Sequence, residues 1–205
     1  MGQFSLFDTE EFVKDEVFLF FDTETNGLPY DFKAPVTDVD NWPRMIQLAW
    51  IQHDANQNEL SRGDYLVYPD NFYIHESIHN ITHEMAQKDG RPAKEVLEIF
   101  SKVLETTTVL VAHNISFDEK ILGAEFHRHN MPNPLHQLNQ ICTMNASVDY
   151  CAIQSGNRYK FPKLEELHQK LFNKGFTGAH NAMVDVEALE RCFWGLKKEG
   201  VVSLY

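Results

Sequence analysis

Asp22 and Glu24 stand one residue apart just beyond the apolar run Val17 to Phe21. A strand sends alternate side chains to the same face, so both carboxylates are expected to project together from a strand end. Carboxylates forced together repel unless they are protonated or bridged by a cation. A hard divalent ion such as Mg²⁺ suits that oxygen-rich geometry. Two further acids occupy places a core would not choose. Asp118 falls in the first turn of a helix that follows a buried-type strand, and Asp185 falls early in the last helix, after His180. Strand ends and adjoining helix starts are where open α/β sheets build sites. Four carboxylates meeting there would hold two hard metal ions, a pair that can activate water and stabilise a leaving oxygen in phosphoryl transfer. A nearby histidine, with a pKa close to operating pH, would serve as general base. Each acid also has an ordinary structural use. Asp118 and Asp185 could complement helix dipoles, and Asp22 could start a turn. Those uses explain the four together less well than a metal site does.

The elements that must position these groups are legible from periodicity. Val17 to Phe21 is nearly all apolar, as a central strand covered on both faces should be. Gly27 and Pro29 end it. Tyr30 to Pro43 is aperiodic and long for a mere connection, so it is either one wall of a cleft or a surface loop. Arg44 to Gln52 and Asp64 to Pro69 read as strands, with a hairpin-like loop from His53 to Gly63. A short helix ends at Gly90, and Pro92 to Glu105 carries apolar residues at helical spacing. Thr107 to Asn114 reads as a buried strand. Ser116 to His129 reads as an amphipathic helix, with Ser116 and Glu119 spaced as a capping box. Leu138 to Thr143 is a further strand candidate, KLEELHQKLF a helix broken at Asn173, and His180 to Lys198 contains the last long helix. Strands first in a meander, then alternating with helices, predict a mixed α/β sheet covered by helices.

The 205 residues suit one domain. We expect a lead-in over 1–16, the domain over 17–199 and a short tail over 200–205. A net charge of −12 argues against holding nucleic acid through a broad basic face, but not against meeting it through metal ions. Cys142, Cys151 and Cys192 form no CxxC pair, which fits free thiols in a reducing cytoplasm. No apolar run approaches the roughly 20 residues a membrane span needs. The acidic start lacks the pattern of a secretory signal, and Met1-Gly2 is only a weak myristoylation motif.

Three ordered motifs give the chain a family resemblance. DTETNG (Asp22 to Gly27), HNISFD (His113 to Asp118) and HNAMVD (His180 to Asp185) resemble the DxETTG, HNxxFD and HxxxxD motifs of DnaQ-like 3′–5′ exonucleases. The likeness is to the branch with four acidic ligands and a histidine, which includes the DNA polymerase III epsilon subunit. QLAW and KLEEL are weaker landmarks, and the likeness spans roughly Val17 to Leu196.

The resemblance implies a ribonuclease H-like fold, with a mixed five-stranded sheet flanked by helices. It implies two divalent cations, Mg²⁺ or Mn²⁺. Asp22, Glu24 and Asp185 would bind the tighter one, and Asp22 and Asp118 the second. His180 would take the proton from the attacking water. Thr25, Asn26, Gly27 and Leu28 would grip the terminal 3′-hydroxyl and last base. Phe117 would lie under a terminal sugar or base, with Asn114 ordering the polar network nearby. The expected product is a nucleoside 5′-monophosphate from a single-stranded DNA 3′ end, in repair or replication. The rivals are an exoribonuclease or oligonucleotide hydrolase, a phosphomonoesterase, and a non-catalytic module associated with a polymerase. Two positions depart from the family: Asn26 replaces the commoner Thr, and Cys142-Thr143 replaces a frequent Asp-Thr pair.

Some residues suggest other roles. His75, His79 and His83 fall four apart, but no Cys or carboxylate closes a zinc set, so we expect a solvent-facing group. Arg158, Tyr159, Lys160 and Lys163 form a small basic-aromatic cluster, for which we favour contact with substrate phosphates. Trp42, Trp50, Phe193 and Leu196 read as packing residues.

Overall fold

Apolar residues fall on both parities of the first strand, and both faces of that strand are covered. β1 (Val17–Thr25) directs Phe18 and Phe20 into one core and Leu19 and Phe21 into another. The computed structural model describes residues 16–75 and 79–203. β1 pairs antiparallel with β2 (Met45–Asp54), which pairs antiparallel with β3 (Glu59–Leu66). On its other side β1 runs parallel to β4 (Val109–Ala112), and β4 runs parallel to β5 (Asn139–Cys142). The order is β3-β2-β1-β4-β5, a mixed five-stranded sheet as expected.

Helix α1 (His83–Asp89) is capped by the Thr82 hydroxyl, which accepts from Met85 N at 3.0 Å. α2 (Ala93–Leu104) and α3 (Ile115–Arg128) cover one face, burying Val96, Leu97, Phe100, Ile121, Leu122 and Phe126. Two short helices, α4 (Thr143–Ala146) and α5 (Val148–Cys151), follow β5. The small hairpin of β6 (Gln154–Ser155) and β7 (Arg158–Tyr159) then leads to α6 (Leu164–Phe172) and α7 (Ala182–Lys198). α6 and α7 cover the second face through Leu167, Val186, Leu189, Phe193 and Leu196. Val202 folds back into that core. Among the described residues no helix is long and apolar enough to cross a membrane.

Four local expectations need correction. The Ser116–Glu119 capping box is absent: α3 begins one residue earlier, from Asn114 in a left-handed conformation (φ 72°) that leaves Ser116 inside the first turn. β3 begins at Glu59 rather than Asp64, because the Asp54 carboxylate accepts from Asn56 N and Asn58 N, both at 2.8 Å, and closes a tight turn. The chain turns helical at Thr143 instead of continuing β5. The three spaced histidines are not a solvent-facing group, because His79 is buried. Trp42 and Trp50 are core residues, as expected. Met1–Asp15, with most of the lead-in and the Met1-Gly2 motif, lie outside the described residues.

Candidate active site

β1, β4 and β5 are parallel, so their C-terminal ends share one edge. The acidic residues gather there. β1 pairs with β4 only from Phe18 to Phe20, so its last residues run past the end of that ladder. Asp22 and Glu24 share the parity of Phe18 and Phe20 and point to the α7 face. Thr23, between them, points to the other face. There its N–H and hydroxyl donate to Asp118 Oδ1 at 3.0 and 2.7 Å. The connection from β4 to α3 is only two residues long, so Asp118 arrives one turn into that helix, against the end of β1.

Asp185 comes from the first turn of α7. Its Oδ2 accepts from His180 N at 2.9 Å, across a left-handed residue at His180 (φ 68°). The start of α7 is fixed to the sheet by Gln47. That buried side chain accepts from Ala182 N at 3.1 Å and donates to Asp64 Oδ1 at 2.7 Å. Possible ligand atoms of Glu24, His180 and Asp185 all lie within 4.8 Å of one another.

The electrostatics of this edge are those of an anionic cluster whose burial and mutual repulsion outweigh its local donors. Burial, then the charges of Asp118, Asp185 and Glu24, push Asp22 well above the usual carboxylate range. Burial, with help from Asp185 and Asp118, pushes Glu24 up to about 7. Asp118 rises to about 7 through burial, against the pull of the Thr23 hydrogen bonds. Asp185 rises to about 6, also through burial and against the His180 N–H. Among the described residues the basic side chain that acts on these four is His180, which lowers Asp185. An oxygen-rich cluster that raises its own proton affinity this way fits divalent cations.

The RNase T exonuclease family model matches residues 19–193, a span that holds all three acidic segments. The chain belongs to this exonuclease family. The expected membership of the DnaQ-like exonuclease family, on a ribonuclease H-like fold, is thus borne out. Solved structures of E. coli exonuclease I share the fold. The complex with a dA16 oligonucleotide has a TM-score of 0.69 at 20% identity, over 89% of this chain and 41% of that one. The zinc-bound complex with single-stranded DNA has a TM-score of 0.70 at 20% identity, over 91% and 41%. The complex with SSB-Ct has a TM-score of 0.69 at 18% identity, over 90% and 42%. The chain therefore spans about two-fifths of the length of these structures. No curated protein sequence matches it significantly.

The other expected site residues of this family member are more scattered. Thr25 donates its hydroxyl to Gly27 O at 2.8 Å, which shapes the turn after β1. Asn26 is tied to Arg44 in both directions: its N–H donates to Arg44 O at 3.0 Å, and its Oδ1 accepts from Arg44 N at 2.8 Å. Gly27 and Leu28 line a small separate cavity of about 270 Å³ with Trp42 and Arg44, and Leu28 is largely exposed. Asn114 accepts from Ser116 Oγ at 3.4 Å, and Phe117 is half-buried against the core under α3. In the basic-aromatic cluster Lys160 is held by Glu166 at 2.6 Å.

His113 is part of the second motif but had no role in the sequence reading. Its Nδ1 lies 3.0 Å from Thr143 Oγ1 and its Nε2 2.9 Å from Pro162 O. Burial lowers its pKa, which favours the neutral ring. It braces the end of β4 against the segment before α6. Those partners lie 30 and 49 residues away, and no local spacing announces them. Asp22, His113, Phe161, Lys163, His180 and Asp185 all line one cleft of about 410 Å³.

Proposed function

We propose that the chain is a metal-dependent 3′–5′ exonuclease that releases nucleoside 5′-monophosphates from single-stranded DNA. The observation that carries this reading is the cluster of four carboxylates whose burial and mutual repulsion raise their proton affinity, two of which, Asp22 and Asp185, line a cleft together with His180. In this reading Asp22, Glu24 and Asp185 would hold one divalent cation, and Asp22 and Asp118 would hold a second. Such ions supply Lewis-acid activation of water and stabilisation of the leaving oxygen. All-carboxylate ligation suits Mg²⁺ or Mn²⁺.

The protein's own groups do the rest. His180, exposed at the cleft rim and within reach of Glu24 and Asp185, takes the proton of the attacking water. The new P–O bond forms as the bond to the 3′-oxygen of the penultimate nucleotide breaks. Thr23 keeps Asp118 oriented through one oxygen and leaves the other for the ion. Asn26, braced by Arg44, holds the turn that grips the terminal nucleotide. Single-stranded DNA as substrate is supported by the oligonucleotides bound to E. coli exonuclease I. A reducing cytoplasm suits the three free cysteines.

The test uses 5′-labelled single-stranded DNA and RNA of one sequence with Mg²⁺, Mn²⁺ or EDTA. The expected result is a metal-dependent ladder shortening from the 3′ end, with DNA preferred. Preferred trimming of RNA would replace the DNA reading with an exoribonuclease. No cleavage of either by the folded, metal-loaded protein would overturn the reading.

A further inference from the structure

The segment from β7 into α6 alternates in exposure. Tyr159, Phe161 and Lys163 face solvent, whereas Lys160 is half-buried and Pro162 is buried. An extended chain places such alternate residues on one face, about 6.6 Å apart. Phe161 is 62% exposed, yet it lines the same cleft as Asp22, His180 and Asp185. Lys163 lines it too.

This segment is fastened on both sides of the ring. Lys160 N donates to Ile153 O at 2.9 Å, and Lys160 Nζ meets Glu166 Oε1 at 2.6 Å. Lys163 N donates to Glu166 Oε2 at 2.8 Å. Pro162 O, between them, is held by His113 Nε2 at 2.9 Å. The backbone carrying Phe161 is therefore braced against the core of the second motif while its ring stands in water. A large apolar ring held out on a fixed backbone beside a phosphoryl-transfer site is a pre-organised partner for another flat apolar surface. Nucleobases are the surfaces that a strand entering this cleft presents, and aromatic rings take them with little regard to identity.

We propose that Phe161 is a base-stacking subsite for one unstacked nucleobase close to the scissile phosphate, flanked by Tyr159 and with Lys163 beside it for a phosphate. The subsite requires a base but tolerates any base. It favours single strands, because a base paired in a duplex cannot turn its face to the ring. The inference rests on the exonuclease reading above and deepens it.

The test compares wild type, Phe161→Ala and Phe161→Trp on single-stranded oligonucleotides that carry one abasic site at each of the last three positions. In wild type, one abasic position should raise KM about tenfold, the equivalent of one base stack, with little change in kcat. Phe161→Ala should show that raised KM on the intact oligonucleotide and no further penalty at that position. Phe161→Trp should restore the wild-type pattern. An undiminished abasic penalty in Phe161→Ala overturns the proposal, as does wild type without any abasic penalty. Wild type inactive on every oligonucleotide would instead sink the exonuclease reading. In that event, binding of the same fluorescent oligonucleotides to the same three proteins still decides whether Phe161 stacks.

Discussion

Helix α3 carries two buried acids, Asp118 and Glu125, seven residues apart and so two turns along one face. Their surroundings are opposite. Glu125 Oε1 accepts from Arg44 Nε at 2.9 Å, Arg128 Nη1 at 2.8 Å and Met45 N at 3.1 Å. Arg128 also donates through Nη2 to Val39 O and Trp42 O, both at 2.5 Å, which pins the long loop before β2 onto α3. Asp118 accepts from the Thr23 N–H and hydroxyl, and three more carboxylates stand near it. The protein neutralises one acid itself and leaves the other unneutralised. A buried charge with its own cation is architecture, and a buried charge without one is a candidate functional site.

The largest expected effect separates the two centres by activity. Asp22→Asn should lower the hydrolysis rate by about 10³-fold or more, since it removes charge that acts where transition-state charge develops. Melting without metal should stay level or rise, because one repelling carboxylate is gone. A clear loss of metal-free stability would mean the cluster is structural. His180→Ala should cost about 10²–10⁴ in kcat at neutral pH with the fold intact, as expected for loss of a general base. Unchanged turnover would remove His180 from that role.

Glu125→Ala should do the converse. It leaves two arginines facing a void and should cost about 3 kcal/mol of stability. Thermal melting would show this as a fall of roughly 6–12 °C for a chain of this size. A variant that melts like wild type would mean that the ion cluster contributes nothing. Divalent cation should next raise the melting point of wild type, by about 2.7 kcal/mol of stabilisation at 100 times Kd. Glu125→Ala should keep that increment and Asp118→Asn should lose most of it.

The smallest effect is the pH response. The folded carboxylates titrate near 6 to 7 at Asp185, Glu24 and Asp118, above their usual values near 4. Between about pH 4 and 7 the folded chain thus binds more protons than the unfolded one, so metal-free stability falls as pH rises through that window. Saturating Mg²⁺ should flatten the slope, and denaturant melts at pH 5 and 7.5 with and without metal would measure it. A metal-free protein that gains stability over that range would contradict the electrostatic picture.

Much of this was legible in the sequence. The unbroken apolar run of β1 predicted a strand covered on both faces, the order of strands and helices predicted a mixed sheet covered by helices, and the family resemblance implied its five strands. Asp22, Glu24, Asp118 and Asp185 stood out because each lies at an element end and ordinary structural uses explain the four together poorly. Other expectations failed where a short-range pattern met a competing local geometry. Ser116 and Glu119 have capping-box spacing, but Asn114 takes a left-handed turn and starts α3 earlier. His75, His79 and His83 were expected to face solvent, but His79 is buried. Glu125 drew no notice, because a lone glutamate among helix residues carries no local signal.

By itself the sequence determined the acidic motifs, the alternation that puts Asp22 and Glu24 on one face, and the amphipathic helices around the sheet. These follow from side-chain periodicity, which operates over a few residues. Tertiary structure decided which charges are compensated and which are not. Thr23 reaches Asp118 across 95 residues, Arg44 reaches Glu125 across 81, and His113 braces Pro162 across 49. Partnerships at such separations depend on how sheet and helices pack. Whether a buried carboxylate is paired with a cationic side chain or not is therefore fixed only once the chain has folded.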